Sequence, residues 1–207
     1  MHYEILDQKR IDLLPTLAKF KGDFYLAGGT GLALQIGHRD SVDFDFFTYG
    51  HFETRKLYNQ VCEIFAGRTI EKTQEEKDTL SVIIDGELKI SFFGYSYQTI
   101  DALVKDTHFD IASIPDIACM KLSAITGRSV LKDYIDLYFI LRLHPLSEIL
   151  AFLAKKMPDQ DQNLVLKCLT YFDDVTKEKI IFKNRSDVSL DTIKKFFTAE
   201  VKKLYRR

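Results

Sequence analysis

Gly28-Gly29-Thr30 and, twelve residues further on, Asp43-Phe44-Asp45 are the residues of this sequence whose types and spacing can do chemistry. Consecutive glycines between a strand and a helix allow positive φ and close backbone approach, and the free amides of the following helix start suit an anion such as a phosphate. Thr30 adds a hydroxyl donor. Side chains alternate along an extended chain, so Asp43 and Asp45 face one way while Val42, Phe44 and Phe46 face the other. Two adjacent carboxylates are hard oxygen ligands that Mg²⁺ can bridge to the phosphates of a nucleotide. Each feature alone has an ordinary explanation, a tight turn in one case and a wet strand face in the other. Together in one short block they point to phosphoryl chemistry.

Other phosphate and metal signatures are absent. No Gly-Lys-Ser or Gly-Lys-Thr forms a Walker A loop, Gly28-x-x-Gly31 lacks the dinucleotide-binding spacing, and Phe47 stands where a calcium loop needs Asp or Asn. His38, His51, His108 and His144 show no ligand spacing and read as surface or capping residues. Cys62, Cys119 and Cys168 lie far apart without a CxxC pair, which excludes a disulfide framework or zinc knuckle and fits a reducing compartment. Lys132 and Asp136 have the i,i+4 spacing of an ordinary helix-face pair.

The elements that must position the block follow from periodicity. Residues 24–26 read as a buried strand delivering the glycines, and Leu32, Ala33, Leu34 and Ile36 as a helix ending at Gly37. Residues 42–47 form the strand that carries the acids. Leu6, Leu13, Leu14, Leu17 and Phe20 predict an opening helix perturbed by Pro15, and Leu57, Val61, Ile64 and Phe65 a helix ending at Gly67. Strands are predicted over 69–73, 80–84 and 88–93, the last two joined by the Asp85-Gly86 hairpin signal. From Pro115 onward five helical stripes follow, the third over 146–156 and the fifth over 190–204. The expected class is α/β (α+β): a small mixed β-sheet core over residues 1–112, then a helical C-terminal domain over 113–207.

A chain of 207 residues, 46% hydrophobic, can bury a core without staples, which excludes disordered classes. Its net charge of −1 excludes bulk attraction to a polyanion. Residues 155–207 nevertheless hold 13 Lys+Arg against 8 Asp+Glu. There Ile193, Phe197, Val201 and Leu204 make an apolar stripe, while Lys194, Lys195, Lys202, Lys203, Arg206 and Arg207 read as a solvated face. No stretch approaches the ~20 apolar residues of a membrane helix and the N-terminus carries no apolar signal segment, so no membrane and a cytoplasmic location are expected.

The block resembles the first signature of the nucleotidyltransferase superfamily with the DNA polymerase beta-like core. More narrowly, Gly28-Gly29-Thr30-x-Leu32-Ala33-Leu34 with Gly37-His38-Arg39-x-Ser41-x-Asp43-Phe44-Asp45-Phe46-Phe47 is similar to the AbiEii/AbiGii nucleotidyltransferase toxin family. Met120-Lys121-x-x-Ala124-x-x-x-Arg128-x-x-x-Lys132-Asp133-x-x-Asp136-Leu137 resembles that family's later helical signature.

The resemblance implies Mg²⁺-dependent transfer of a nucleoside monophosphate from an NTP to an acceptor hydroxyl. The tRNA 3′ end or another RNA is the acceptor it suggests, and a cognate antitoxin protein the partner. By the same resemblance, Gly28, Gly29 and Thr30 hold the β and γ phosphates, and Asp43 and Asp45 hold the metal. Lys121 or Arg128 neutralises developing charge, and Arg39 and Ser41 brace the loop entering the metal strand. One position departs from the superfamily pattern. Ser91 stands where a neighbouring strand would supply a third carboxylate; Asp85, Glu87 or, from the helical half, Asp136 is the acid that could replace it. The alternative is therefore a catalytically impaired nucleotide-binding or protein-interaction module.

Overall fold

A computed structural model describes residues 1–176 and 178–206, so Arg207 of the basic tail lies outside the described residues. Its centre is a seven-stranded mixed sheet in the order β3-β4-β5-β2-β1-β7-β6. The strands are β1 (Tyr25–Ala27), β2 (Phe44–Thr48), β3 (Ile70–Glu76), β4 (Thr79–Ile84), β5 (Leu88–Gly94), β6 (Val104–Lys105) and β7 (Asp110–Ile111). The acid-bearing β2 is internal, antiparallel to β1 and parallel to β5.

Alternation sorts the sheet into two faces. Leu26, Phe44, Phe46, Leu80, Val82, Ile90 and Phe92 enter one buried core with the opening helix α1 (Gln8–Leu17) and α3 (Thr54–Ile64). Tyr25 and Ala27 join the other core, which is built mainly from α4 (Ile114–Ala124), α5 (Leu131–Leu141), α6 (Leu146–Lys156), α7 (Gln162–Thr170) and α8 (Leu190–Leu204). Between β1 and β2, α2 (Gly28–Ile36) contributes Ala33 and Leu34 to the first core and Leu32 to the second.

Local chemistry explains the boundaries. Asp7 caps α1 through Arg10 N, and Pro15 is tolerated within it before the chain tightens into a 3-10 turn at Ala18–Phe20. Ser113 caps α4, with Pro115 in the first turn. Gly37 closes α2 with φ 63°, the left-handed conformation a glycine adopts freely. Asp85 and Gly86 turn β4 into β5 with φ 52° and 71°.

Three expectations need correction. Val42 and Asp43 precede β2, so only Asp45 of the two acids is on the strand, and Val42, expected on its apolar face, is exposed. The sheet is larger than expected, because β6 and β7 are too short to show a period. Lys132 pairs with Glu178 rather than Asp136. No single helix among the described residues is long and apolar enough to cross a membrane.

Candidate active site

In the sheet, Ala27 of β1 sits opposite Asp45 of β2, Asp45 beside Ser91 of β5, and Ser91 opposite Ser81 of β4. Three of these four side chains are small, so the row forms a trough. Above it opens a cleft of about 940 Å³ whose walls include Gly28, Gly29, Asp43, Asp45, Ser91 and Lys121. The glycines and the paired acids therefore meet in one cavity, as their spacing suggested.

Gly28 has φ +65°, and a Cβ there would lie 2.7 Å from Asp45 Oδ2. Only glycine lets the turn press against the carboxylate. Burial, and then the neighbouring Asp43 charge, push the Asp45 carboxyl above its usual range; Lys121, Lys89 and Arg128 oppose this from a distance. Neither carboxylate has an ion-pair partner among the described residues. Two converging hard oxygens, one of them destabilised as an anion, fit a divalent cation. No group of three or more His, Cys, Asp or Glu side chains that could hold a metal exists among the described residues.

The loop entering β2 is fastened at several points. The Thr30 hydroxyl donates to the Asp43 carbonyl and lies 2.8 Å from Ser41 Oγ. Arg10 Nε donates to the Val42 carbonyl at 2.7 Å. Arg39 is 2% exposed and forks onto Asp136, Nε to Oδ1 at 2.7 Å and Nη2 to Oδ2 at 2.8 Å. It passes so close beneath Gly29 that a Cβ there would sit 2.5 Å from its terminal nitrogen. Asp136 also meets His38 Nε2 at 2.7 Å and Lys121 Nζ at 2.6 Å. Burial alone would raise the Asp136 carboxyl, but Arg39, Lys121 and His38 hold it well below the carboxylate range.

Each anticipated residue now has a place. Gly28, Gly29, Arg39, Ser41, Asp43, Asp45, Lys121 and Arg128 all line the cleft. Arg39 and Ser41 brace the entering loop. Thr30 is 1% exposed and spends its hydroxyl on the loop rather than offering it to a ligand. Asp136 is fully buried and does not line the cleft; it anchors Arg39 and Lys121. Neither Asp85, paired with Arg68, nor Glu87, paired with Lys9, reaches the cleft. His38 is buried against Asp136 rather than at the surface.

Asp133 went unassigned in the sequence although it stands inside the second motif. It lines the cleft, binding Lys121 Nζ at 2.6 Å and Arg128 Nε at 2.8 Å. Its spacing from Asp136, one helical turn, was the available signal. Lys89, two residues before Ser91 on the same strand face, also lines the cleft; strand parity alone places it there.

An acid pair at the head of a strand, beside a glycine-opened helix and with buried cations across the cleft, is the arrangement a nucleotidyltransferase centre needs. The chain belongs to the nucleotidyl transferase AbiEii toxin family of type IV toxin–antitoxin systems, whose profile matches residues 12–207. It is 40% identical over 162 residues to the uncharacterized protein aq_aa25 of Aquifex aeolicus (strain VF5), covering 75% of this chain and 77% of that one. Its fold resembles that of MenT4, the nucleotidyltransferase toxin Rv2826c of Mycobacterium tuberculosis H37Rv. That match has a TM-score of 0.64 at 13% identity, over 96% of this chain and 82% of that one. The fold also resembles that of JHP933 from Helicobacter pylori, with a TM-score of 0.55 at 18% identity, over 97% and 95% of the two chains. At such identities the likeness is one of fold. Family and fold together make the protein a nucleotidyltransferase enzyme of toxin type.

Proposed function

We propose that this protein transfers a nucleoside monophosphate from an NTP to the 3′-hydroxyl of an RNA, tRNA being the first acceptor to test, with a divalent cation at Asp43 and Asp45. One observation carries the reading: both carboxylates line the same cleft as the Gly28-Gly29 turn and lack a protein counter-ion among the described residues. Mg²⁺ is the cation that best suits two carboxylates plus phosphate oxygens. When bound, it supplies charge neutralisation across the reacting phosphate and pyrophosphate.

The chain's own residues do the positioning on which phosphoryl transfer depends. The amides of Gly28 and Gly29, at the positive end of α2, hold the β and γ phosphates. Lys121, fixed by Asp133 and Asp136, presents a buried positive charge to the cleft. Arg128, whose side chain is 60% exposed, can swing from Asp133 onto a phosphate oxygen. The acceptor oxygen bonds to the α phosphorus, the α–β bridging bond breaks, pyrophosphate departs and the hydroxyl proton passes to solvent. Ser91 is no base, so this route relies on electrostatics rather than proton abstraction.

Purified protein incubated with labelled NTPs, Mg²⁺ and a tRNA pool should label RNA, and Asp43→Ala and Asp45→Ala should abolish it. Absence of label in every arm removes the proposal. Ser91 favours a second reading, a nucleotide-binding module without turnover, which calorimetry would reveal as binding of a non-hydrolysable NTP by protein that transfers nothing. The family's toxin role predicts growth inhibition relieved by Asp45→Ala and by the cognate antitoxin.

A further inference from the structure

The sheet face that carries the trough continues into a second row. Two residues along each strand from Ala27, Asp45 and Ser91 lie Tyr25, Phe47 and Phe93, in the same lateral register. Phe47 and Phe93 line the cleft with their ring centroids 5.1 Å apart and planes inclined by 30°, and Tyr95 meets Phe47 edge-on at 5.6 Å. Both phenylalanines are only half-buried. The interval between the rows is about 7 Å at the usual strand rise.

The direction of this row matters. Gly28 follows Ala27 on β1, which runs antiparallel to β2, so the glycine turn lies at the Asp43 side of Asp45 and the aromatic row at the opposite side. In phosphoryl transfer the entering and leaving oxygens stand roughly in line across the reacting phosphorus. With pyrophosphate held at the glycines, the attacking hydroxyl must arrive from the aromatic side. Phe47 is flanked in that row by Tyr25 at 6.0 Å as well as by Phe93, so Phe93, backed by Phe47, has the open side for a planar, apolar-faced group, and a nucleobase is the part of an RNA end that has one.

Resting on the transfer reading above, we propose that Phe47 and Phe93 form a stacking platform for the terminal base of an RNA acceptor. The platform sets the 3′-hydroxyl over Asp45 and Ser91. These are positioning residues: where no third carboxylate draws in the hydroxyl, stacking holds it. The platform reads no base edge, so it tolerates any terminal nucleotide.

The test uses full-length protein, a non-hydrolysable NTP, Mg²⁺ and a single-stranded RNA octamer ending in 2-aminopurine, whose fluorescence is quenched on stacking. Wild type should quench it. Phe47→Leu and Phe93→Leu should each lose most of the quenching and raise the acceptor KM about tenfold, with NTP affinity within about twofold of wild type. Phe93→Tyr, which keeps a ring, should restore both. Label transfer by wild type without quenching, or folded leucine variants with wild-type KM, overturns the platform and leaves the transfer reading standing. Quenching without transfer supports the platform and sinks the transfer reading. Label appearing on protein instead of RNA overturns the platform even if the leucine variants fail to fold.

Discussion

Ser91 lies directly beside Asp45, its Cα partner in the parallel pairing of β5 with β2, and shares its cleft face. The serine thus occupies one of the two sheet positions flanking Asp45, Ala27 being the other, from which a further carboxylate would face the same trough.

Replacing it tests that geometry. Ser91→Asp should tighten Mg²⁺ binding and raise the transfer rate about tenfold or more, since a positioned general base contributes at least that much. Without metal it should lower the denaturation midpoint, because a third acid joins a pair already in repulsion. Single-turnover kinetics and metal-dependent melting check both halves; an unchanged rate would show that Ser91 does not face the reacting centre.

Asp45→Asn should cut transfer by about 10²–10³-fold, the scale of losing a principal electrostatic element. The same variant should melt no lower than wild type in chelator, because the carboxyl it removes is burdened by burial and by Asp43. Equal melting shifts on adding Mg²⁺ to variant and wild type would contradict the metal assignment.

Asp136→Asn should behave in the opposite way. It strips the carboxylate from buried Arg39 and one of the two from buried Lys121, so a stability loss of about 3–5 kcal/mol is expected. Denaturant unfolding measures it. A small loss accompanied by a large rate effect would return Asp136 to a direct role in the reaction.

Acid should destabilise the fold in two stages. Burial lowers the His38 pKa from its ordinary 6.5, against the pull of Asp136. The unfolded chain therefore takes up that proton first, and stability is full above about pH 6.5 and declines below it. The structural reason is direct: Nε2 is bonded to Asp136, and Nδ1 is buried without a partner among the described residues, so a second proton has no acceptor there. Asp136, held below its ordinary 3.8, adds a second decline beneath that value. The first stage should vanish in His38→Gln, read as the slope of stability against pH between 5 and 7.

Much of this was legible in the sequence because local rules decided it. Gly37 ended a helix, Asp85-Gly86 turned a hairpin, and the stripe over 190–204 became α8, since capping, positive φ and periodicity act within a few residues. The cleft was legible too, because Asp43 and Asp45 lie two residues apart at the head of one strand. Pairings made by distant segments were not. Nothing near His38 announces Asp136, 98 residues on, and nothing near Thr30 says whether its hydroxyl will meet a phosphate or the Asp43 carbonyl. Short β6 and β7 exist through their neighbours, with Ile111 alone registering β7 on Leu26.

The fork of Arg39 onto Asp136 ties the approach to β2 to a helix almost a hundred residues downstream. A gene fragment ending ahead of α4 would lose the partner of Arg39 and bare Tyr25, Ala27 and Leu32, which pack against the helical half, so truncating the chain to a minimal catalytic piece is a poor route to an active reagent. Inhibitor screens and partner mapping should start from the whole polypeptide.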